Sequence, residues 1–299
     1  MEFKKFDDFI DGDSFKIFSY SEDGSINEAT MDFPIDDNIL KDKVAIYTST
    51  YNVSENTQGR DKYITYKKML GDLITSLKNQ TFKNWKLFIV GDGFEPEDEL
   101  KDLLKSKLNP SQYTFFNLSE PGERGKLDPS ILRNSGGTKA RNKAISLAKA
   151  EGFNYLAAID HDDYWKPQHL ESMMKAFQQD KDISFGYHRA SRARVKGDAK
   201  GVYYWGGEAK VPTLYYDDVP DKIIEAPHSG IFWHGPSCNW PKYRTVPDMK
   251  STAPKRNRTM GADEDFIRQI NDAIKGKKKK AVYVPKLLIR LRNAKGKLP

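Results

Sequence analysis

Tyr155-Leu156-Ala157-Ala158-Ile159-Asp160-His161-Asp162-Asp163-Tyr164-Trp165 decides how the rest of this chain is read, because an apolar run ends abruptly in three acids within four residues. A strand that delivers carboxylates to its own end is how an α/β protein builds a metal and phosphate site. Alternation along an extended chain sends Asp160 and Asp162 to one side and His161 to the other. Two carboxylates facing one point suit a hard divalent cation. The same residues also read as an acidic turn capping a helix that starts near Pro167, since Asp favours turns and helix caps. The surrounding pattern has to separate the two.

Working outward, the regular pattern begins at Lys43. Residues 44–51 read as a strand, and Leu70, Leu73, Ile74 and Leu77 then fall at i, i+3, i+4 and i+7, one face of a helix. Residues 85–90 form the next strand, ending at Gly91-Asp92-Gly93; Pro96 opens a short helix with Leu100, Leu103, Leu104 and Leu108, and a third strand covers 113–118. A polar, glycine-rich loop follows. Thr138 is placed to cap a helix bearing Ala140, Ala144, Leu147 and Ala148 that stops at Gly152, just before the opening strand. This alternation predicts an α/β fold with a mostly parallel central sheet flanked by helices. Ligands of such sheets collect at the carboxyl ends of the strands, where Thr50, Tyr51, Asn52, Asp92 and residues 160–163 all fall.

After a helix with Leu170, Met173, Met174 and Phe177, short aromatic-rich strands follow at 183–188, 202–205, 211–216 and 231–234, which predicts a smaller sheet of mixed or antiparallel pairing. Their aromatics read as core and sheet-edge residues, or as a surface that stacks on sugar rings. A last helix is expected over 263–275 and a final strand over 281–291.

Composition narrows the functional classes. With 299 residues, 38% hydrophobic and 12% aromatic, the chain has ample material for a packed, enzyme-sized core. Apolar runs are far too short for a bilayer span, and residues 1–8 lack the apolar centre of a signal peptide, so a soluble, cytoplasmic protein without a transmembrane segment is expected. A single cysteine, Cys238, excludes an internal disulfide and a multi-cysteine zinc site, and reads as a small buried thiol. The net charge of +7 is unevenly spread, with an acidic start and a basic end that includes Lys277-Lys278-Lys279-Lys280. That lysine run reads as a solvated helix terminus. Without interleaved aromatics or a nucleic-acid module, no nucleic-acid partner is expected.

Taken in order, four motifs resemble the inverting family 2 glycosyltransferases with the GT-A fold. Residues 44–52 end in Thr50-Tyr51-Asn52 like that family's opening strand. Residues 76–85, followed by a strand and Asp92-Gly93, are similar to its "SLLNQTYKNFEIIIVDDGS". Residues 134–142 resemble its "NGGVSAARN", and residues 160–167 its DxD segment, "DSDDYWKP". The resemblance covers 43 to about 270. It implies a GT-A domain over 43–299, with a nucleotide-sugar half at 43–166 and an acceptor half with a basic C-terminal segment at 167–299. Residues 1–42 are left as an acidic extension packing on that domain.

The resemblance further implies a donor site in which Asp92 accepts a hydrogen bond from the base, a uracil, and Thr50, Tyr51 and Asn52 shape its pocket. Lys139 and Arg141, in the first turn of their helix, would meet the diphosphate, where the helix dipole also favours anions. Asp162 would be the direct ligand of a divalent metal, Mn²⁺ or Mg²⁺, with Asp160 near the ribose or metal and His161 beside them. A metal between carboxylate and phosphate oxygens neutralises the leaving diphosphate. Gly261-Ala262-Asp263-Glu264-Asp265-Phe266 is similar to the family's "GEDYDF", placing Asp263 as the base that inversion requires. Two departures stand out. Ala262 replaces the usual Glu, leaving the register among three acids open, and Arg292 stands where many relatives carry a metal-side histidine.

Arg256 and Arg258 lie on a segment that resembles the family's closing loop, and Trp233 and His234 are further acceptor-side candidates. The expected function is transfer of a sugar from a nucleoside-diphosphate donor, a UDP-sugar, to a glycan, lipid-linked or protein acceptor. A nucleotidyltransferase, or a non-catalytic nucleotide-sugar or nucleic-acid binder retaining the fold, is the alternative.

Overall fold

The computed structural model describes residues 14–23, 25–32, 42–52, 65–124, 126–127, 132, 136–193, 202–205, 228–245 and 261–291. In its first half the two sequence periods fold as written. Strands β3 (Val44–Thr50), β4 (Trp85–Gly91), β5 (Tyr113–Asn117) and β6 (Tyr155–Ala158) are parallel, in the spatial order β6-β3-β4-β5. Helices α1 (Tyr66–Lys78), α2 (Glu97–Lys107) and α3 (Thr138–Ala150) connect them.

Both faces of β3 are covered. Val44 and Ile46 pack with Leu70, Leu73 and Ile74 of α1, while Ala45 and Tyr47 pack with Ala140, Ala144 and Ala148 of α3. This is why the strand reads as continuously apolar rather than alternating. Each leucine so buried contributes about 1.5–3 kcal/mol. The chain runs outward from β3 through β4 to β5, then returns to place β6 on the other side of β3. The crevice between the carboxyl ends of β3 and β6 is therefore a topological switch point, where open α/β sheets bind ligands.

The second half extends the same sheet. Helix α4 (His169–Gln179) follows the two-residue strand β7 (Tyr164–Trp165). Beyond β6 lie β10 (Ile231–His234), antiparallel to both its neighbours, then β8 (Ile183–Ala193) and β11 (Lys280–Leu291), which run parallel to each other. Strands β9 (Val202–Trp205) and β7 pair with β8 and β11 respectively, and helix α5 (Ala262–Gly276) lies between β10 and β11 in sequence. The mixed pairing expected of the aromatic-rich strands thus continues one eleven-stranded sheet. The strand expected at 211–216 lies outside the described residues.

Residues 14–32, read from the sequence without regular elements, form a hairpin of β1 (Ser14–Tyr20) and β2 (Ile26–Asp32) that adds to the edge of β11. Phe15 and Ile17 anchor it by burial, whereas all seven residues of β2 are exposed, so its sequence carries no alternation to read. At α3 the cap is Gly137, in the left-handed region at φ 79°, and Thr138 is the first helical residue. In the lysine run, Lys277 and Lys278 are exposed as a solvated helix terminus should be, while Lys279 and Lys280 are partly buried. Lys278, Lys279 and Lys280 pair with Glu22, Asp182 and Asp180, and Lys277 donates to Pro236 O. No helix among the described residues is long and apolar enough to cross a membrane.

Candidate active site

The rim at the switch point divides into two clusters. The first surrounds the ends of β3 and β4. Asp92 is buried, its Oδ1 accepting from Gly122 N at 2.7 Å and its Oδ2 lying 3.3 Å from Arg124 Nε. The Arg124 guanidinium lies 3.3 Å above the Tyr51 ring, whose centroid is 5.0 Å from that of His161. His161 Nδ1 donates to Ser49 O at 3.1 Å, and burial pushes its imidazole pKa below the usual value, against the pull of Asp162 and Asp160. Thr50 is buried, with no hydrogen-bond partner for Oγ1 among the described residues, and Asn52 Nδ2 donates to Glu95 O. Thr50, Tyr51, Asp92 and His161 therefore meet on one rim as the sequence predicted. Arg124 was missed, because it sits in the irregular loop before α3 where no period marks it.

The second cluster centres on Asp160. The strand ends at Ala158, so residues 160–163 form a turn rather than the extended run from which the facing of Asp160 and Asp162 was argued. Asp163 N donates to Asp160 O at 3.0 Å, and Ser229 staples the turn from outside, its Oγ accepting from Asp160 N at 2.9 Å and donating to Asp163 Oδ2 at 2.6 Å. Trp165 Nε1 donates to Ser229 O at 2.6 Å. Asp162 is buried, while the Asp160 side chain stays one-third exposed (33%), so Asp160 is the more accessible carboxylate.

Arg141, expected at the phosphates, turns instead to the acids. From the first turn of α3 its Nη2 donates to Asp160 Oδ1 and its Nη1 to Asp263 Oδ1, both at 2.8 Å. Burial opposes its charge, yet Asp263 and Asp160 together raise its pKa above the ordinary guanidinium value. Burial likewise pushes Asp160 up, but His228 and Arg141 outweigh it and hold the carboxyl well below the usual carboxylate range. His228 Nδ1 lies 3.0 Å from Asp160 Oδ1, and its Nε2 lies 2.6 Å from the Tyr243 hydroxyl, which exchanges a hydrogen bond with Tyr47 at 2.9 Å. Asn142 fixes Tyr243 through both of its backbone polar groups. Lys139 is exposed, and its backbone N–H donates to Glu123 Oε1 at 3.0 Å.

The open register at the start of α5 is resolved by contacts. Glu264 reaches back to Gly261 N, and Asp265 is fully buried under Arg244, Arg268 and Gln269. Asp263 alone of the three meets Arg141, with 43% of its side chain open.

Trp233 and His234 are corrected. Trp233 is fully buried against Tyr47, Trp240 and Phe266, and His234 pairs in register with Tyr155, at the start of β6. Because β10 runs antiparallel to β6, its beginning rather than its end reaches the rim. The 3-10 turn before it, His228–Gly230, therefore supplies the site's histidine and serine. Arg256, Arg258 and Arg292 lie outside the described residues.

The hard oxygen donors of Asp160 and Asp162 suit Mg²⁺ or Mn²⁺. Among the described residues, however, no three His, Cys, Asp or Glu side chains gather to hold an ion. A cation held by these two carboxylates would draw further oxygens to complete its shell.

Comparison with known proteins agrees with this geometry. The family model "Glycosyl transferase family 2" matches residues 62–210, about half of the chain. An uncharacterized glycosyltransferase of Acanthamoeba polyphaga mimivirus is 31% identical over 124 residues, 42% of this chain and 50% of the relative. TuaG of Bacillus subtilis, named for teichuronic acid biosynthesis, is 29% identical over 186 residues, 62% of this chain and 59% of the relative. The chain thus spans about half of the length of these relatives. Among solved structures, S. aureus TarS 1-349 in complex with UDP superposes with a TM-score of 0.52 at 14% identity, over 83% of this chain and 59% of that one. With a switch-point rim of carboxylates, the GT-A architecture and the match over 62–210, the chain belongs to the family 2 glycosyl transferases.

Proposed function

We propose that this chain transfers a sugar from a nucleoside-diphosphate donor, a UDP-sugar, to an acceptor hydroxyl with inversion. The observation that carries the reading is the pairing of Asp160, at the switch point, with Asp263, at the start of α5, across a single guanidinium. One carboxylate lies where a donor ribose and diphosphate bind and the other where an acceptor approaches. The UDP of the TarS complex supports the choice of nucleotide.

In this reading the nucleobase enters beside Tyr51, Asp92 and Arg124, and the ribose meets Asp160. Asp263, exposed toward solvent, removes the proton from the acceptor hydroxyl as its oxygen attacks the anomeric carbon and the nucleoside diphosphate leaves. Asp160 and Asp162, with donor phosphate oxygens, would hold a divalent Mn²⁺ or Mg²⁺ ion, which when bound supplies charge neutralisation of the diphosphate. The acceptor is a hydroxyl of a glycan, lipid-linked sugar or protein.

The test is product analysis with a panel of nucleotide-sugars. Free UDP with a new glycosidic bond of inverted anomeric configuration supports the reading, whereas pyrophosphate would assign nucleotidyl transfer. Asp263→Asn should lower kcat by about 10²–10⁴-fold with nucleotide binding retained, the range for loss of a general base. Normal turnover in that variant would remove Asp263 from the chemistry.

A further inference from the structure

Arg141 holds both key carboxylates, and the chemical steps above assign it no task of its own. Its side chain is only 12% exposed, and its two terminal nitrogens are divided between Asp160 Oδ1 and Asp263 Oδ1, each at 2.8 Å. The acids lie 103 positions apart in the sequence, and the described contacts of Asp263 all fall on Oδ1. Asp160 is steadied independently: its backbone N–H is held by Ser229 and its carboxylate also faces His228. Among the described residues, Asp263 is held by the first turn of α5 and by Arg141, with His228 Nε2 farther off at 4.0 Å. Arg141 itself is placed by α3, whose next residue, Asn142, is locked to the Tyr243 backbone, while the Tyr243 ring lies 5.3 Å from the guanidinium.

We infer that Arg141 is a positioning residue that fixes the base Asp263 relative to the donor carboxylate Asp160. The inference rests on the proposed glycosyl transfer and deepens it. A guanidinium presents two donors in a rigid plane and can span two carboxylates at once, whereas an ammonium is a point charge that cannot hold the same geometry. With Asp263 Oδ1 tied down, its second oxygen is the one left to take the acceptor proton. Loosening that tie misplaces the base without removing any group from the nucleotide pocket.

The expected signature is a division between kcat and KM. Arg141→Lys, which keeps the charge and most of the volume, should lower kcat by about 100-fold, the cost of misplacing a reacting group by about 1 Å, with donor KM and UDP affinity by calorimetry little changed. The effect should vanish in the Asp263→Asn background, because a residue acting through Asp263 has nothing left to position. Guanidinium ion added to Arg141→Ala should restore part of kcat. A loss confined to donor KM, or additive losses in the double variant, would overturn the inference and return Arg141 to phosphate binding.

A double-mutant cycle of Arg141→Lys and Asp263→Asn on thermal stability checks the contact without activity. No coupling there overturns the inference even where glycosyl transfer is confirmed. Coupling in a wild-type protein that turns over no donor refutes the glycosyl-transfer reading instead, and the catalytic part of this inference with it.

Discussion

At the residue scale, the site shows how neighbouring acids acquire different tasks. Asp263, Glu264 and Asp265 are all acidic and adjacent in sequence. Glu264 closes the helix start, Asp265 is buried under two arginines, and Asp263 faces the rim. A second residue-scale feature lies beneath the site. His169 is fully buried, stacked 4.0 Å from Trp165 and tilted against His188 at 4.4 Å, and among the described residues neither of its ring nitrogens has a hydrogen-bond partner. Burial first, and the neighbouring His188 second, push its pKa well below the ordinary value of 6.5. The unfolded chain therefore takes up a proton before the folded one does. Its contribution to stability is fully retained above the unfolded value and is lost as pH falls below it, at up to about 1.4 kcal/mol per pH unit. Urea midpoints should drop between pH 7.5 and pH 5.5, and His169→Phe, which keeps the stack on Trp165, should flatten that dependence.

At the element scale, helix starts and strand ends carry the site. Helix α3 delivers Arg141 only because Gly137 turns the chain in the left-handed region, at φ 79°, where a Cβ would lie 2.6 Å from Ser49 Oγ. An L side chain in that conformation costs roughly 1–2 kcal/mol before any clash is counted. Gly137→Ala should therefore lower stability by at least that amount in urea titration. It should also reduce turnover, because the strain falls one turn from Arg141. Elements with a strong period were legible: α1, from Leu70, Leu73, Ile74 and Leu77, and the parallel strands, from their apolar runs. The β1–β2 hairpin was not, because β2 buries nothing and so carries no pattern.

At the scale of the whole molecule, one sheet joins a parallel half to a mixed half, and the candidate site lies at their seam. A ligand bound there links β3, β6, the turn at His228 and α5, so it should stabilise the fold as a unit. UDP at about 100 times its Kd should add about 2.7 kcal/mol and raise the melting temperature by several degrees. Mn²⁺ alone should give little shift, because no three side chains among the described residues form a metal site, whereas UDP with Mn²⁺ should exceed UDP alone. An equal shift from Mn²⁺ without nucleotide would show that the protein itself completes the ion's shell. Transfer that persists fully in EDTA would remove the metal from the reaction.

The sequence by itself determined the α/β alternation, the gathering of Thr50, Tyr51, Asp92 and residues 160–163 at one rim, and the family that these motifs resemble. Each of these is local, written in a period of two or 3.6 residues or in a motif at a strand end. Only the tertiary structure decided which acid of residues 263–265 faces the site, that Arg141 meets carboxylates, and that His228 rather than His234 stands beside Asp160. Those outcomes depend on the direction of a strand and on which side chains from distant segments meet. Strand direction is set by pairing partners far away in sequence, and no local pattern around residues 228–234 records it.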